Sequence, residues 1–157
     1  MAHIHLTTFI EAPAKRIFDL SRSIGLHKLS MIINKEKAIA GVISGLINEG
    51  ETVTWQAKHL FKTRIFCTKI TSMKSPESFI DEMLKGDFKN FKHVHHFKSV
   101  TNGTIMIDVV DFESPYGIVG AVFNKFFLTN YMAKLLIKRN QIIKEYAETV
   151  KWKAILN

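Results

Sequence analysis

Two histidines set two apart, His93 and His95, lie in the segment FKHVHHFKSV, residues 91–100. In an extended strand, residues i and i+2 point to one face. Phe91 and Phe97 share that face, so the two imidazoles project among aromatic rings; Lys92, Val94, His96 and Lys98 take the opposite, solvent-facing side. An imidazole in an apolar surrounding can bind and polarise a carbonyl or carboxylate, or relay a proton. A second stretch, TVTWQAKHL at 52–60, alternates in the same way. Trp55, Ala57 and His59 share one face against Thr54, Gln56 and Lys58, which puts Trp55 and His59 inside.

Acids could complete such a set. In TIMIDVVDF, residues 104–112, Asp108 shares a face with Met106, Val110 and Phe112, while Ile105, Ile107, Val109 and Asp111 share the other. The second set is the more apolar, so alternation alone leaves the side of Asp108 open. Of Asp81 and Glu82, one faces in and one out, and parity does not say which. A carboxylate next to a histidine sets its tautomer and raises its pKa, as acid–base work requires. His-x-His on a strand with a third histidine and an acid is also the kind of set that binds zinc or iron. The spacing supplies two ligands only, so no metal and no cofactor are expected. The lone cysteine, Cys67, reads as a structural thiol; it excludes an intrachain disulfide and a cysteine-only zinc site. No phosphate-binding glycine loop and no G-x-S-x-G elbow is present. His3 and His5 read as a surface or edge pair. His27 falls at the mouth of an interior site or on the surface.

The elements that must position these residues follow from periodicity. Residues 3–10 read as a strand, stopped by Glu11-Ala12-Pro13. Pro13 suits the first position of a helix, and Ala14, Ile17 and Phe18 give that helix an apolar face through Leu20. Ser23 offers an N-cap for a second short helix, roughly 23–31. Six more strands follow at 35–41, 52–60, 64–73, 78–84, 91–100 and 104–112. Gly41, Gly45 and Gly50 punctuate a loop, and Asn102-Gly103 marks a hairpin turn. Short turns with no intervening helix mean an antiparallel meander. From about Ile118 to Val150 the period changes: Val122, Phe126, Phe127, Tyr131, Leu135, Ile142, Ile143 and Tyr146 recur at three- and four-residue steps, one long amphipathic helix. A curved sheet closed by one helix leaves an internal cavity, with the two short helices at its end.

The chain has 157 residues, 46% hydrophobic and 23% charged, which fits one globular domain over 1–157. Net charge is +8, yet only four of the 22 basic residues are Arg and no run of five or more like charges occurs. That excludes nucleic acid as the expected partner. The seven basic residues from Lys125 onward, Arg139 among them, read as a solvated helix face. No apolar run is long enough to cross a bilayer and the N-terminus has no signal-peptide pattern, so a cytoplasmic location is expected.

The order of motifs resembles the START-like helix-grip superfamily, also called SRPBCC, which includes birch-pollen-allergen-type proteins and polyketide cyclases/dehydrases. The resemblance rests on Phe9–Leu20, where a strand runs through Ala12-Pro13 into a helix, on Ser21-Arg22-Ser23, on Gly50-Glu51 with Val53-Thr54-Trp55, and on Asp81-Glu82. It continues through Phe88–Phe97 with His93-Val94-His95, Asp108 with Phe112, Pro115-Tyr116-Gly117, Phe127-Leu128 and Arg139-Asn140. It is nearest a bacterial ligand-binding subgroup with no activity to carry over. It implies an α+β helix-grip fold and, together with Phe112, favours Asp108 inside. The expected function is binding of an apolar, aromatic or lipid-like small molecule by Trp55, His59, His93, His95, Phe97, Asp108, Phe112, His27, Phe127 and Tyr131. The alternatives are a cyclase, dehydratase or isomerase using His93, His95 and Asp108, and a lipid carrier docking at an anionic membrane surface.

Overall fold

A computed structural model describes residues 1–114 and 124–157. Seven antiparallel strands form one sheet: β1 (Ala2–Ile10), β2 (Lys37–Gly41), β3 (Thr52–His59), β4 (Lys62–Lys74), β5 (Ser78–Lys85), β6 (Asn90–Val100) and β7 (Gly103–Glu113). Their order is β1-β7-β6-β5-β4-β3-β2, a meander from β2 to β7 with β1 added beside β7. After β1 come α1 (Ala14–Ser21) and α2 (Ile24–Ser30). A long helix, α3 (Thr129–Glu148), follows a π-helical segment over Asn124–Leu128, and a short α4 (Lys153–Leu156) ends the chain. This is the helix-grip architecture: a curved sheet, a long C-terminal helix and two short helices after the first strand.

Several boundaries differ from the sequence expectation for physical reasons. The expected start of the long helix, at Ile118, lies outside the described residues, as do Val122 and the Pro115-Tyr116-Gly117 motif. Its end comes at Glu148, because Thr149 turns to an extended conformation and its side chain accepts the Lys151 N–H, capping a separate 3-10 turn. Pro13 stands just before α1, with ψ 144. Ser23 does cap α2, accepting the Leu26 N–H at 3.2 Å. The β6–β7 hairpin pairs Val100 with Gly103, so its loop is Thr101-Asn102 and Gly103 opens the next strand. Gly103 serves a close approach instead: a Cβ there would collide with the Ile10 carbonyl. At Gly41, φ is +73 and a Cβ would meet the Thr52 carbonyl. Gly41→Ala is expected to cost about 1–3 kcal/mol in urea unfolding. Gly25→Ala, in helical α2, where a Cβ would make only an ordinary contact with Ser23 Oγ at 3.8 Å, is expected to be neutral or stabilising; equal losses at both sites would contradict this account.

The buried interior has two apolar clusters. One holds Ile10, Phe18, Trp55, Phe79, Phe97, Met106 and Ile143. The other holds Ile4, Phe91, Val110, Phe112 and Leu136. Phe18 is fully buried and meets Phe79 and Phe97 edge-on at 5.6 and 5.5 Å. Along β6, β7 and α3 alike, residues of one cluster give way to buried polar residues and then to the other cluster. His93 and His95 stand between Phe91 and Phe97, Asp108 between Met106 and Val110, and Arg139 and Asn140 between Leu136 and Ile143. A polar belt therefore crosses the core.

Candidate functional site

Strand register assembles the belt. His93 on β6 lies directly opposite Asp81 on β5, and His95 opposite Asp108 on β7. Inward-facing neighbours on adjacent strands stand close enough for direct and diagonal contact. The hydrogen bonds run on the diagonals: His93 Nε2 to Asp108 Oδ1 at 2.9 Å, and His95 Nε2 to Asp81 Oδ2 at 3.0 Å. The rings of His93 and His95 lie 3.7 Å apart, and Phe79 stacks on His95 at 4.1 Å. Helix α3 closes the belt from the other side. Asn140 Nδ2 donates to Asp108 Oδ2 at 2.7 Å; the Arg139 guanidinium lies 3.6 Å from Asp108 and donates to the Ser21 carbonyl at 3.1 Å.

Electrostatics follow from burial. The His93 imidazole is pushed down to about 4, first by burial and then by His95, against the pull of Asp108 and Asp81. Burial opposes ionisation of Asp108, but the His93 and His95 imidazoles beside it hold it well below the usual carboxylate range. Burial opposes ionisation of Asp81 as well. The His95 hydrogen bond and the charges of His93, His95 and Arg139 outweigh it and lower that group too. At neutral pH both carboxylates are ionised and His93 is neutral.

A cavity of about 330 Å³ lies between sheet and helix. Asp81, His93 and Arg139 lie at its polar wall, and most of the remainder is apolar, including Ile24, Val53, Phe66, Ile70, Met132 and Leu136. Trp55, His59, His27 and Tyr131 line it as well. His27 lies against Trp55, ring centroids 4.3 Å apart and tilted by 30°, and bonds Glu36 at 2.9 Å. His59 Nδ1 and the Tyr131 hydroxyl are 2.8 Å apart, and Asn34 reaches that hydroxyl at 3.3 Å. Burial lowers the His59 pKa, with Glu36 opposing and Arg64 assisting. The neutral form is therefore favoured in the folded chain. Between the unfolded value of about 6.5 and the lower folded one, the unfolded state binds the extra proton, so this group's contribution to stability falls as pH falls through that window. Proton NMR is expected to show the His59 ring titrating below the ordinary imidazole value of about 6.5. A midpoint at or above that value would contradict the stated cause.

The structure does not bring all the expected residues to the cavity. His95 and Asp108 are buried behind its wall, and reach it only through His93 and Asp81. Phe97 packs among Phe18 and Phe79, and Phe112 against Phe88; both fill the core. Phe127 is 46% exposed and stacks on Tyr131 outside the cavity wall. Asp81 faces in, and Glu82 faces out between Lys69 and Lys92 on the neighbouring strands. Arg139 is the correction to the solvated basic face: it is 5% exposed. Sequence reasoning missed Arg139 and Asn140 as site residues. Their signal was available in the helical period, which puts 139, 140 and 143 on the apolar side with Leu136.

No family model and no curated protein matches this chain by sequence. Solved structures do match its shape. A START superfamily protein from Mycobacterium smegmatis has a TM-score of 0.72 at 12% identity, covering 96% of this chain and 99% of that one. TTHA0849 from Thermus thermophilus has 0.70 at 15%, covering 90% and 96%. Major latex-like protein 151 from Panax ginseng has 0.69 at 14%, covering 94% and 98%. At these identities the likeness shows the fold alone, the helix-grip architecture described above. Among the described residues, no helix is long and apolar enough to cross a membrane.

Proposed function

We propose that this START-like helix-grip chain binds a small, largely apolar molecule in the cavity between sheet and helix, with one polar end of that molecule against Asp81, His93 and Arg139. The carrying observation is a cavity of about 330 Å³ with apolar walls and a polar cluster converging on one side. Ligand sites combine these two features: apolar lining for affinity and a few placed polar groups for orientation. A cavity of this size accommodates a medium-length acyl chain or one to two fused rings.

The test is native mass spectrometry of freshly purified protein for a co-purified mass, followed by thermal shift with a panel of apolar acids, alcohols and aromatics. At a hundredfold excess over Kd, a bound compound adds about 2.7 kcal/mol, a Tm rise of about 5–10 °C at this size. No co-purified mass and no shift with any class would sink the reading.

One observation favours a second reading, acid–base turnover of the bound molecule. His93 lines the cavity and is held in orientation by a carboxylate, the arrangement of an oriented general base. Product formation from an identified ligand, abolished by His93→Ala with binding retained, separates enzyme from binding protein.

A further inference from the structure

Asp108 Oδ1 stands 2.9 Å from His93 Nε2 and 3.0 Å from His95 Nδ1. One carboxylate oxygen thus meets the far nitrogen of both rings. The near nitrogens face Asp81: Oδ2 of that residue is 3.9 Å from His93 Nδ1 and 3.0 Å from His95 Nε2. If both rings give their N–H to Asp108, the near nitrogens are bare lone pairs. Three Lewis-basic atoms then face one another with no hydrogen among them.

With His95 neutral, this cluster is incomplete. A neutral His95 that donates from Nε2 to Asp81 turns a bare Nδ1 toward the Asp108 carboxylate. That nitrogen is buried and lacks an aligned hydrogen-bond partner, although Asp108 is 3.0 Å away. A buried polar nitrogen left unpaired is costly. The charge balance has the same shape: two carboxylates, Asp81 and Asp108, face one guanidinium, Arg139, in a cluster closed off from solvent on most sides.

We infer that Asp81, His93 and His95 form a binding site for a divalent first-row transition metal, with Asp108 as the carboxylate that orients both imidazoles. The ligand atoms offered by the three residues all lie within 4.8 Å of one another. Metal–nitrogen and metal–oxygen bonds of about 2.0–2.2 Å place neighbouring ligand atoms roughly 3.0–3.4 Å apart, and the separations from Asp81 Oδ2 to His95 Nε2 and His93 Nδ1, 3.0 and 3.9 Å, span that range. Two imidazoles and one carboxylate suit zinc or ferrous iron and leave coordination positions open. Histidine ligands characteristically donate their other N–H to a carboxylate; Asp108 is bonded to His93 Nε2, lies 3.0 Å from His95 Nδ1, and is itself held by Asn140. Because Asp81 and His93 line the cavity, an open position there takes a ligand oxygen. Cys67 has the opposite strand parity from cavity-lining Phe66 and Thr68 and contributes nothing. The site stands whether or not an apolar molecule enters the cavity, so its failure leaves the binding reading untouched.

The test uses the full chain, stripped with chelator and titrated with Co²⁺ and Zn²⁺ alone. One saturable equivalent with visible Co²⁺ d–d absorption is expected. Asp81→Asn and His95→Ala each weaken it at least tenfold, and Asp108→Asn about 10–100-fold. The exposed His3 and His5 are the obvious competitor, since His3 pairs with Asp111; a His3→Ala, His5→Ala double variant is expected to bind as the wild type does. In case a buried variant fails to fold, long-range ¹H–¹⁵N spectra of the wild type with Zn²⁺ give a second reading: His93 Nδ1 and His95 Nε2 move and the His3 and His5 nitrogens do not. Absence of saturable binding, binding lost only in the His3/His5 variant, or shifts confined to those two residues overturns the inference.

Discussion

Asp108→Ala is expected to lose about 3–5 kcal/mol of stability in urea unfolding, the cost of removing one partner from a buried charged cluster. The magnitude comes from what stays behind. Asp108 is 0% exposed and accepts from His93 and Asn140, with His95 and Arg139 alongside. Truncation leaves a buried guanidinium short of its nearest carboxylate and at least two donors without acceptors. Asp108→Asn keeps an acceptor for Asn140 and the packing volume, so its loss is expected to be smaller. If Asp108→Ala lies within 1 kcal/mol of wild type, roughly the effect of an ordinary substitution, the cluster does not hold the core in the way described.

Ala57→Phe is expected to weaken binding of the fluorescent probe 1-anilinonaphthalene-8-sulfonate at least tenfold, which is about 1.4 kcal/mol. Ala57 is buried, and it lines the cavity from β3 next to Trp55 and His59. A phenyl ring at this position extends into open volume rather than into packed neighbours. Its stability cost should therefore stay below the about 1–3 kcal/mol typical of overpacking. Fluorescence titration and urea unfolding on the same preparation separate the two effects. Unchanged affinity in a folded variant would place the probe, and with it the proposed ligand, outside the cavity.

The strands were legible because their inward and outward residues alternate cleanly. Trp55-x-Ala57 on β3 and Phe91-x-His93-x-His95-x-Phe97 on β6 carry side-chain direction in parity alone. Strand β7 shows where that fails. Its outward set, Ile105, Ile107 and Val109, is the more apolar one, while the inward set carries Asp108. Hydropathy ranks faces by transfer cost, and a buried carboxylate with several partners defeats that ranking. Which of Asp81 and Glu82 faces in depended on the register of β5 against β4 and β6, a long-range property that local pattern does not contain. Arg139 read as one more lysine-like surface charge, because its partners Ser21 and Asp108 lie 118 and 31 residues away in sequence. Phe127 failed in the opposite direction: a large aromatic on a helix reads as core, yet it sits on the outer side of Tyr131.

The polar belt between the two apolar clusters also constrains how this sequence can drift. Asp81, His93, His95, Asp108, Arg139 and Asn140 are in direct contact or share a partner. The effect of changing one such residue depends on the others. Loss of the Asp108 carboxylate alone strands Arg139, while loss of Arg139 alone leaves two carboxylates without their guanidinium. Intermediates along a stepwise route to an apolar core thus pass through a less stable chain, although the end point could be as stable as the start. Among divergent relatives, these six positions are expected to be kept together or replaced together, while Phe97 and Phe112, which answer only to packing, exchange with other large apolar residues one at a time.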